Sequence, residues 1–308
     1  MATALITHDA ARGHVTPQGH PERVARIEHL LAALAEFDLL RVRSPLAEDA
    51  EIERCHPPAY IGSLESHVPA RGFHPIDGDT YLTPGALDAA RRGVGGVLKA
   101  VEMVVGGEVD NAFCAMRPPG HHAERATAKG FCFFGNAAIG AKYALDALGL
   151  ARVAVVDFDV HHGNGTQDLL WHERRALTVT SHQSPLWPGS GAAQETGAHD
   201  NVMNLPLAPG TGGAEMRALY TDRVFPRLRR FRPELIILSA GFDAHARDPL
   251  ANLNWQTEDF TWLTEQLCAV AAEVCGGRVV STLEGGYDLQ ALSESGAAHV
   301  AALMEAGR

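Results

Sequence analysis

The chain is 308 residues long, with 26 Lys plus Arg against 37 Asp plus Glu and a formal net charge of −11. Hydrophobic residues at 46% and charged residues at 20% supply an ample core and exclude an intrinsically disordered chain. The acidic balance argues against nucleic-acid binding through a basic face, and no stretch approaches the roughly 18 uninterrupted apolar residues of a membrane span. Met1 to His8 lacks the basic and apolar regions of a signal peptide, so a cytoplasmic protein with neither nucleic-acid nor membrane partners is expected. The five cysteines, Cys55, Cys114, Cys132, Cys268 and Cys275, include no CxxC pair and point to neither a disulfide framework nor a thiolate zinc site. Histidine is the unusual count, at 16.

In chain order, Ala2 to Thr7 reads as a strand, and Ile27, Leu30, Leu31 and Leu34 recur at helical spacing. Thr83 followed by Pro84 has the form of an N-cap with proline at the first helical position. Asn111 to Ala115 reads as a strand, Asn136 to Leu148 as a helix, and Arg152 to Asp157 and Leu177 to Ser181 as strands. A helix over Gly213 to Arg229 precedes the strand Leu235 to Ser239, and a helix over Thr257 to Cys275 precedes the strand Arg278 to Leu283. Leu289 to Met304 closes the chain as a helix. This alternation, without repeats or a long polar linker, predicts one α/β domain over residues 1–308, a mostly parallel sheet with helices on both faces.

In open parallel sheets, ligands bind beyond the carboxyl ends of the strands, and four polar clusters stand at such positions. The first is Asp157-Phe158-Asp159-Val160-His161-His162-Gly163-Asn164-Gly165. Alternate residues of an extended segment share a face, so Asp157, Asp159 and His161 can project together. Carboxylate plus imidazole is a ligand set for zinc or Fe(II). Capping of the next helix explains a lone aspartate there better than it explains the whole run. The second cluster, Arg117-Pro118-Pro119-Gly120-His121-His122-Ala123, offers adjacent imidazoles on a fixed loop, one of them suited to general-base work. Satisfied structural histidines are its bland alternative. The third, Ser239-Ala240-Gly241-Phe242-Asp243, sets a carboxylate after a buried strand, where it needs a cation or caps a helix. In the fourth, Leu283-Glu284-Gly285-Gly286-Tyr287, a phenol on a glycine turn either packs or donates to a developing oxyanion. Four clusters distant in sequence, each after a strand, predict one composite site.

Together these motifs resemble the histone deacetylase and acetylpolyamine amidohydrolase family, zinc amidohydrolases of the arginase-deacetylase fold. The resemblance runs from about His20-Pro21-Glu22-Arg23 to Tyr287, and Gly163-Asn164-Gly165-Thr166-Gln167 looks like the class II branch and its bacterial relatives. By position, it implies that Asp159, His161 and Asp243 bind one catalytic zinc, that Asp157 orients His121, and that His122, held by Asn164, is the general base and acid. Tyr287 is implied as the group that stabilises the tetrahedral oxyanion. One or two structural potassium ions are implied as well, near Asp157, with Asp159, His161, Thr180 and Ser181 as further ligands. Phe131 and Trp187, with Gly130 beside them, would wall an acyl-lysine tunnel, Leu250 would stand near its mouth, and Asp79 would hold substrate backbone at the rim. Arg23 would lie in an internal channel for acetate.

The resemblance therefore implies hydrolysis of acylated lysine side chains or related small amides, with acetylated polyamines as the alternative substrate. The segment between His56 and Asp79 is short for the inserted loop of dimeric polyamine enzymes, and apolar Leu250 provides no acidic gate, which favours acyl-lysine. Trp187 stands where related enzymes often have Phe or Tyr, and a narrower tunnel is expected from it. A catalytically silent acetyl-lysine-binding scaffold would be marked by loss of Tyr287 or of a tandem histidine, and all three residues are present. No His-Glu-x-x-His helix supports a zinc peptidase. The oligomeric state is not readable from the sequence.

Overall fold

The apolar runs pair into an eight-stranded, wholly parallel sheet, seen in a computed structural model that describes residues 2–307. The strands are β1 (Thr3–Thr7), β2 (Leu40–Arg43), β5 (Asn111–Cys114), β6 (Val153–Asp157), β7 (Ala176–Gln183), β8 (Val202–Leu207), β9 (Leu235–Ala240) and β10 (Val279–Leu283). A separate antiparallel pair is formed by β3 (His74–Pro75) and β4 (Tyr81–Leu82). The order across the main sheet is β2-β1-β5-β10-β9-β6-β7-β8.

Alternate residues of each strand serve opposite faces, as the pleat requires. Ala4, Ile6, Cys114, Val153, Val155 and Ile237 pack beneath the helices Pro58–Ser66, Ala86–Val105 and Asn136–Asp146. Leu5, Phe113, Ala154, Val156, Ile236 and Leu238 pack beneath Ala25–Ala33, Thr257–Cys275 and Leu289–Ala306 on the other side. Both faces are thus covered, which is why the inner strands read as continuous apolar runs. Helices on both faces of a parallel sheet are the architecture that the resemblance implies. No helix among the described residues is long and apolar enough to cross a membrane.

The sheet differs from the expected one at its edges. β2, with the sequence Leu-Arg-Val-Arg, is mostly exposed, and β8 carries Pro206, so neither shows the apolar run of a central strand. Proline is tolerated in β8 because an edge strand leaves one side of its backbone unpaired. Two helices differ as well. Gly85, not Thr83, is the N-cap of Ala86–Val105, and the Thr83 hydroxyl lies 3.4 Å from Nδ1 of His14 instead of capping. The expected helix over 213–229 is broken by a π-turn at Tyr220–Val224 just before Pro226, whose missing N–H interrupts the regular hydrogen-bond ladder.

Connectivity locates the site. From β6 the chain moves outward through β7 and β8, then crosses back to β9 on the opposite side of β6 and continues to β10. The boundary between β6 and β9 is therefore a topological switch point, where the carboxyl-end loops diverge and leave a crevice. The Asp159–His161 segment follows β6 and Asp243 follows β9.

Close packing of the helix Ala86–Val105 against the loop after β2 depends on Gly95, where an added Cβ would strike the Pro45 carbonyl. Alanine ordinarily improves a helix interior by about 0.8–1.0 kcal/mol over glycine. Here Gly95→Ala is expected to be destabilising, because overpacking against fixed backbone costs about 1–3 kcal/mol. Urea unfolding measures the difference, and a raised midpoint would contradict the packing described.

Candidate active site

Asp159, His161 and Asp243 are buried, and one potential ligand atom from each lies within 4.8 Å of the others. Nδ1 of His161 is 3.2 Å from Oδ1 of Asp159 and 3.2 Å from Oδ2 of Asp243. Backbone donors anchor the remaining carboxylate oxygens: the N–H of Gly285 donates to Oδ2 of Asp159 at 2.8 Å, and that of Val160 to Oδ1 of Asp243 at 2.9 Å. A Cβ at Gly241 or Gly285 would run into the Asp159 carboxylate, so both glycines are needed for the approach. Burial, and then the adjacent Asp159, push the Asp243 carboxyl up to about 7. Against the effect of burial, hydrogen bonds to Asp159 and Asp243 raise His161 to about 10. The two carboxylates draw positive charge to the point between them. A cation shared by the three groups meets the same demand, and the donor set fits a divalent metal that accepts nitrogen and oxygen.

The tandem histidines stack beside this group, with ring centroids 3.9 Å apart. Nδ1 of His121 is 2.9 Å from Oδ2 of Asp157, whereas Nδ1 of His122 is 2.8 Å from the amide oxygen of Asn164. Their protonation diverges. Burial alone would lower His121, but Asp159, Asp157 and Glu284 outweigh it and hold the ring well above the ordinary 6.5. Burial, followed by the neighbouring His121 and His161, holds His122 well below it. The surroundings therefore favour the charged form of His121 and the neutral form of His122.

A cavity of about 310 Å³ opens over these groups, lined by His122, His161 and Tyr287 at depth and by Asp79, Gly130, Phe131, Trp187 and Leu250 around them. Phe131 meets Tyr287 edge to face at 5.9 Å, and Trp187 meets His122 edge to face at 4.7 Å. Gly130 and Phe131 both adopt positive φ, 56° and 69°, which turns the chain sharply at the wall. On the far side of Asp157, Thr180 lies directly opposite it in the β6–β7 register. The Thr180 hydroxyl is buried without a hydrogen-bond partner, while Oγ of Ser181 is 2.7 Å from the Tyr220 hydroxyl.

Residues 20–303 match the histone deacetylase domain family. This chain belongs to the histone deacetylase family. It is 38% identical over 284 residues to the histone deacetylase-like amidohydrolase of Pseudomonas aeruginosa, covering 90% of this chain and 73% of that protein. A probable deacetylase of Archaeoglobus fulgidus is 34% identical over 299 residues, covering 94% of this chain and 82% of the other. The crystal structure of the HDA15 HD domain superimposes with a TM-score of 0.93 at 30% identity, covering 99% of this chain and 89% of that one. Membership brings an amidohydrolase class, acetylated substrates and general dependence on a metal.

One expected position is corrected in this deacetylase-family chain. Arg23 is exposed and borders a surface depression with Arg247 and Asp288; it does not enter an internal channel. Three residues later, within the helix Ala25–Ala33, Arg26 is fully buried alongside Ile27 and Leu30, with its guanidinium 4.8 Å from the Tyr287 ring centroid. Arg26 donates to the carbonyls of Gly286 at 2.6 Å and Glu284 at 2.5 Å, fixing the turn that carries Tyr287. It also pairs with Glu22, as does fully buried Arg117, which donates through Nε to Glu22 Oε1 at 2.7 Å. Asp248 was likewise not singled out by the sequence. Its Oδ2 accepts the Tyr287 N–H at 2.7 Å and its Oδ1 the Leu250 N–H at 3.0 Å. His-Pro-Glu-Arg was the one available signal for the Glu22 network, and nothing local marks Asp248.

Glu22 is fully buried between two arginines. Burial alone would raise its carboxyl, but Arg117 and then Arg26 lower it from the ordinary 4.5 to about 2. A depressed folded-state pKa adds stability above the unfolded value, and that stability is lost as pH falls toward the folded one. Glu22→Gln is therefore expected to destabilise by about 3–5 kcal/mol at neutral pH, since it strands buried guanidiniums. The gap from the parent should narrow between pH 4.5 and about 2. Chemical denaturation across that range checks both the size and the sign.

Proposed function

We propose that the chain acts as one catalytic domain, a zinc-dependent deacylase that cleaves acyl groups from lysine side chains or related small amines. The observation that carries this reading is the grouping of Asp159, His161 and Asp243 at the base of a cavity that also receives His122 and Tyr287. Zinc held by the three ligands would supply Lewis acidity toward the amide carbonyl and a lowered pKa for water.

The chain's own groups divide the rest of the work. Neutral His122 takes a proton from the attacking water and returns it to the departing amine, a role worth about 10²- to 10⁴-fold. Charged His121, held by Asp157, fixes the neighbouring ring and adds positive charge beside the reacting carbonyl. Tyr287 keeps its hydroxyl proton, because burial raises its pKa well above the ordinary 10 in spite of nearby Arg26. It can therefore donate to the oxyanion. Phe131 and Trp187 face an aliphatic chain across the cavity, and Asp79 at the rim offers a carboxylate to substrate backbone or amine. We assign a monovalent cation, potassium, to Asp157, Thr180 and Ser181, on the strength of the orphaned Thr180 hydroxyl opposite Asp157.

Tyr287→Phe should fold and keep its metal yet lose about 10²- to 10³-fold in kcat, the cost of one oxyanion donor. A parent-like rate would remove Tyr287 from the mechanism. Asp243→Ala should lose metal as read by elemental analysis, and chelation of the parent should abolish turnover of acetyl-lysine peptides, restored by added zinc. Activity that survives complete metal removal would sink the zinc reading. Acetylputrescine and acetylspermidine run beside the peptides decide the substrate: faster turnover of the polyamines would replace acyl-lysine in this assignment.

A further inference from the structure

The hydrogen bonds that hold His122 continue outward past Asn164. The side-chain Nδ2 of Asn164 donates to Oε1 of Glu124 at 2.7 Å and reaches the His122 carbonyl at 3.4 Å. Glu124 is held in turn by Lys129, whose Nζ lies 3.2 Å from the same oxygen. The short loop bearing both residues is closed by backbone pairs between Glu124 and Thr127 and between Lys129 and Cys132.

This arrangement decides which way round the amide sits. An ionised carboxylate and a carbonyl can only accept, so Asn164 must turn its NH₂ toward Glu124 and its oxygen toward His122. His122 Nδ1 must then carry the proton, which leaves the lone pair on Nε2. Without Glu124 only the long 3.4 Å contact to the His122 carbonyl would hold the amide this way round. Flipped, it would donate to Nδ1, reverse the tautomer and put the lone pair on the nitrogen held by Asn164.

We propose that Glu124 is a positioning residue: acting through Asn164, it locks His122 in the Nδ1–H tautomer and stabilises the imidazolium formed when Nε2 takes a proton. The proposal rests on the assignment of His122 as general base. The proton on Nδ1 stays there throughout. The proton taken at Nε2 comes from water and leaves with the amine, so none passes to Asn164 or Glu124. The contrast with His121 gives the design its reason. Asp157 contacts His121 directly and favours its charged form, whereas the amide spacer orients His122 while moving the negative charge one residue outward, onto a side chain that is 32% exposed.

The test uses the full-length, metal-loaded protein and four variants: Glu124→Ala, Glu124→Gln, Asn164→Asp, and Asn164→Asp with Glu124→Gln. Glu124→Ala is expected to lower kcat about 10- to 100-fold, within the range a general base supplies, with KM and metal content unchanged. Glu124→Gln keeps an acceptor toward Asn164 and should cost only a few-fold. In the Asn164→Asp background two carboxylates face one another, so the same Glu124→Gln change should raise kcat. A Glu124 that merely supports the loop would not reverse sign between backgrounds. Independently of turnover, ¹⁵N-histidine spectra should show His122 as the Nδ1–H tautomer in the parent and a mixture of tautomers in Glu124→Ala. An unchanged tautomer in Glu124→Ala, or an effect of Glu124→Gln in the same direction in both backgrounds, overturns the proposal. If the parent turns over no acylated amine, the functional reading fails, and the tautomer spectra decide the role of Glu124 alone.

Discussion

The structure depends on the burial of Asp157, Asp159, Asp243 and Glu284 together at the carboxyl ends of β6, β9 and β10. Removing four carboxylates from water is prohibitive unless nearly every oxygen finds a donor and the excess charge finds a cation. Backbone N–H groups meet part of the demand: Gly120 and His121 donate to Glu284, Asp159 to Asp157, and Gly285 to Asp159. All four motifs contain glycine, and at Gly163, Gly241 and Gly285 an added Cβ would strike one of these buried carboxylates. Imidazoles meet part of the rest, and a metal ion held by Asp159, His161 and Asp243 would meet the remainder. The parallel sheet matters here because it delivers all the strand ends to one place.

The same concentration of charge makes two adjacent histidines chemically different. A carboxylate partner favours the charged form of His121, and an amide partner together with burial favours the neutral form of His122. Separated protonation states in identical side chains are how one site holds a fixed positive charge and an available base at one pH. Beneath them, Arg26 and Arg117 around Glu22 form a second charged layer that supports the Tyr287 turn. The enzyme class follows from the family; the division of labour proposed for these residues is argued from these contacts.

Legibility in the sequence tracked the physics. Inner strands were readable because burial on both faces demands continuous apolar runs, whereas β2 and β8 were not, because edge strands are exempt from that demand. The four polar clusters stood out because polar residues after buried strands are costly without a task. Arg23 and Arg26 are three positions apart, and only the start of the helix at Ala25 separates the exposed arginine before it from the buried one within it. Glu22 and Arg117 are joined across 95 positions, and Asp248 and Tyr287 across 39, pairings that no local pattern encodes. Histidine identity alone was equally silent. His299 is as buried as His122, but both of its nitrogens are satisfied, by Thr264 at 2.7 Å and Ser281 at 2.8 Å, and it lies in the core between helices.

Asp248 binds the backbone of Leu250 at the cavity wall with one oxygen and that of Tyr287 at its floor with the other. Width and chemistry are therefore mechanically joined. A change in the Leu250 turn therefore reaches the backbone under Tyr287 through one shared carboxylate. Under the proposed reading, the width of the cavity and the placing of the phenol are set together at Asp248.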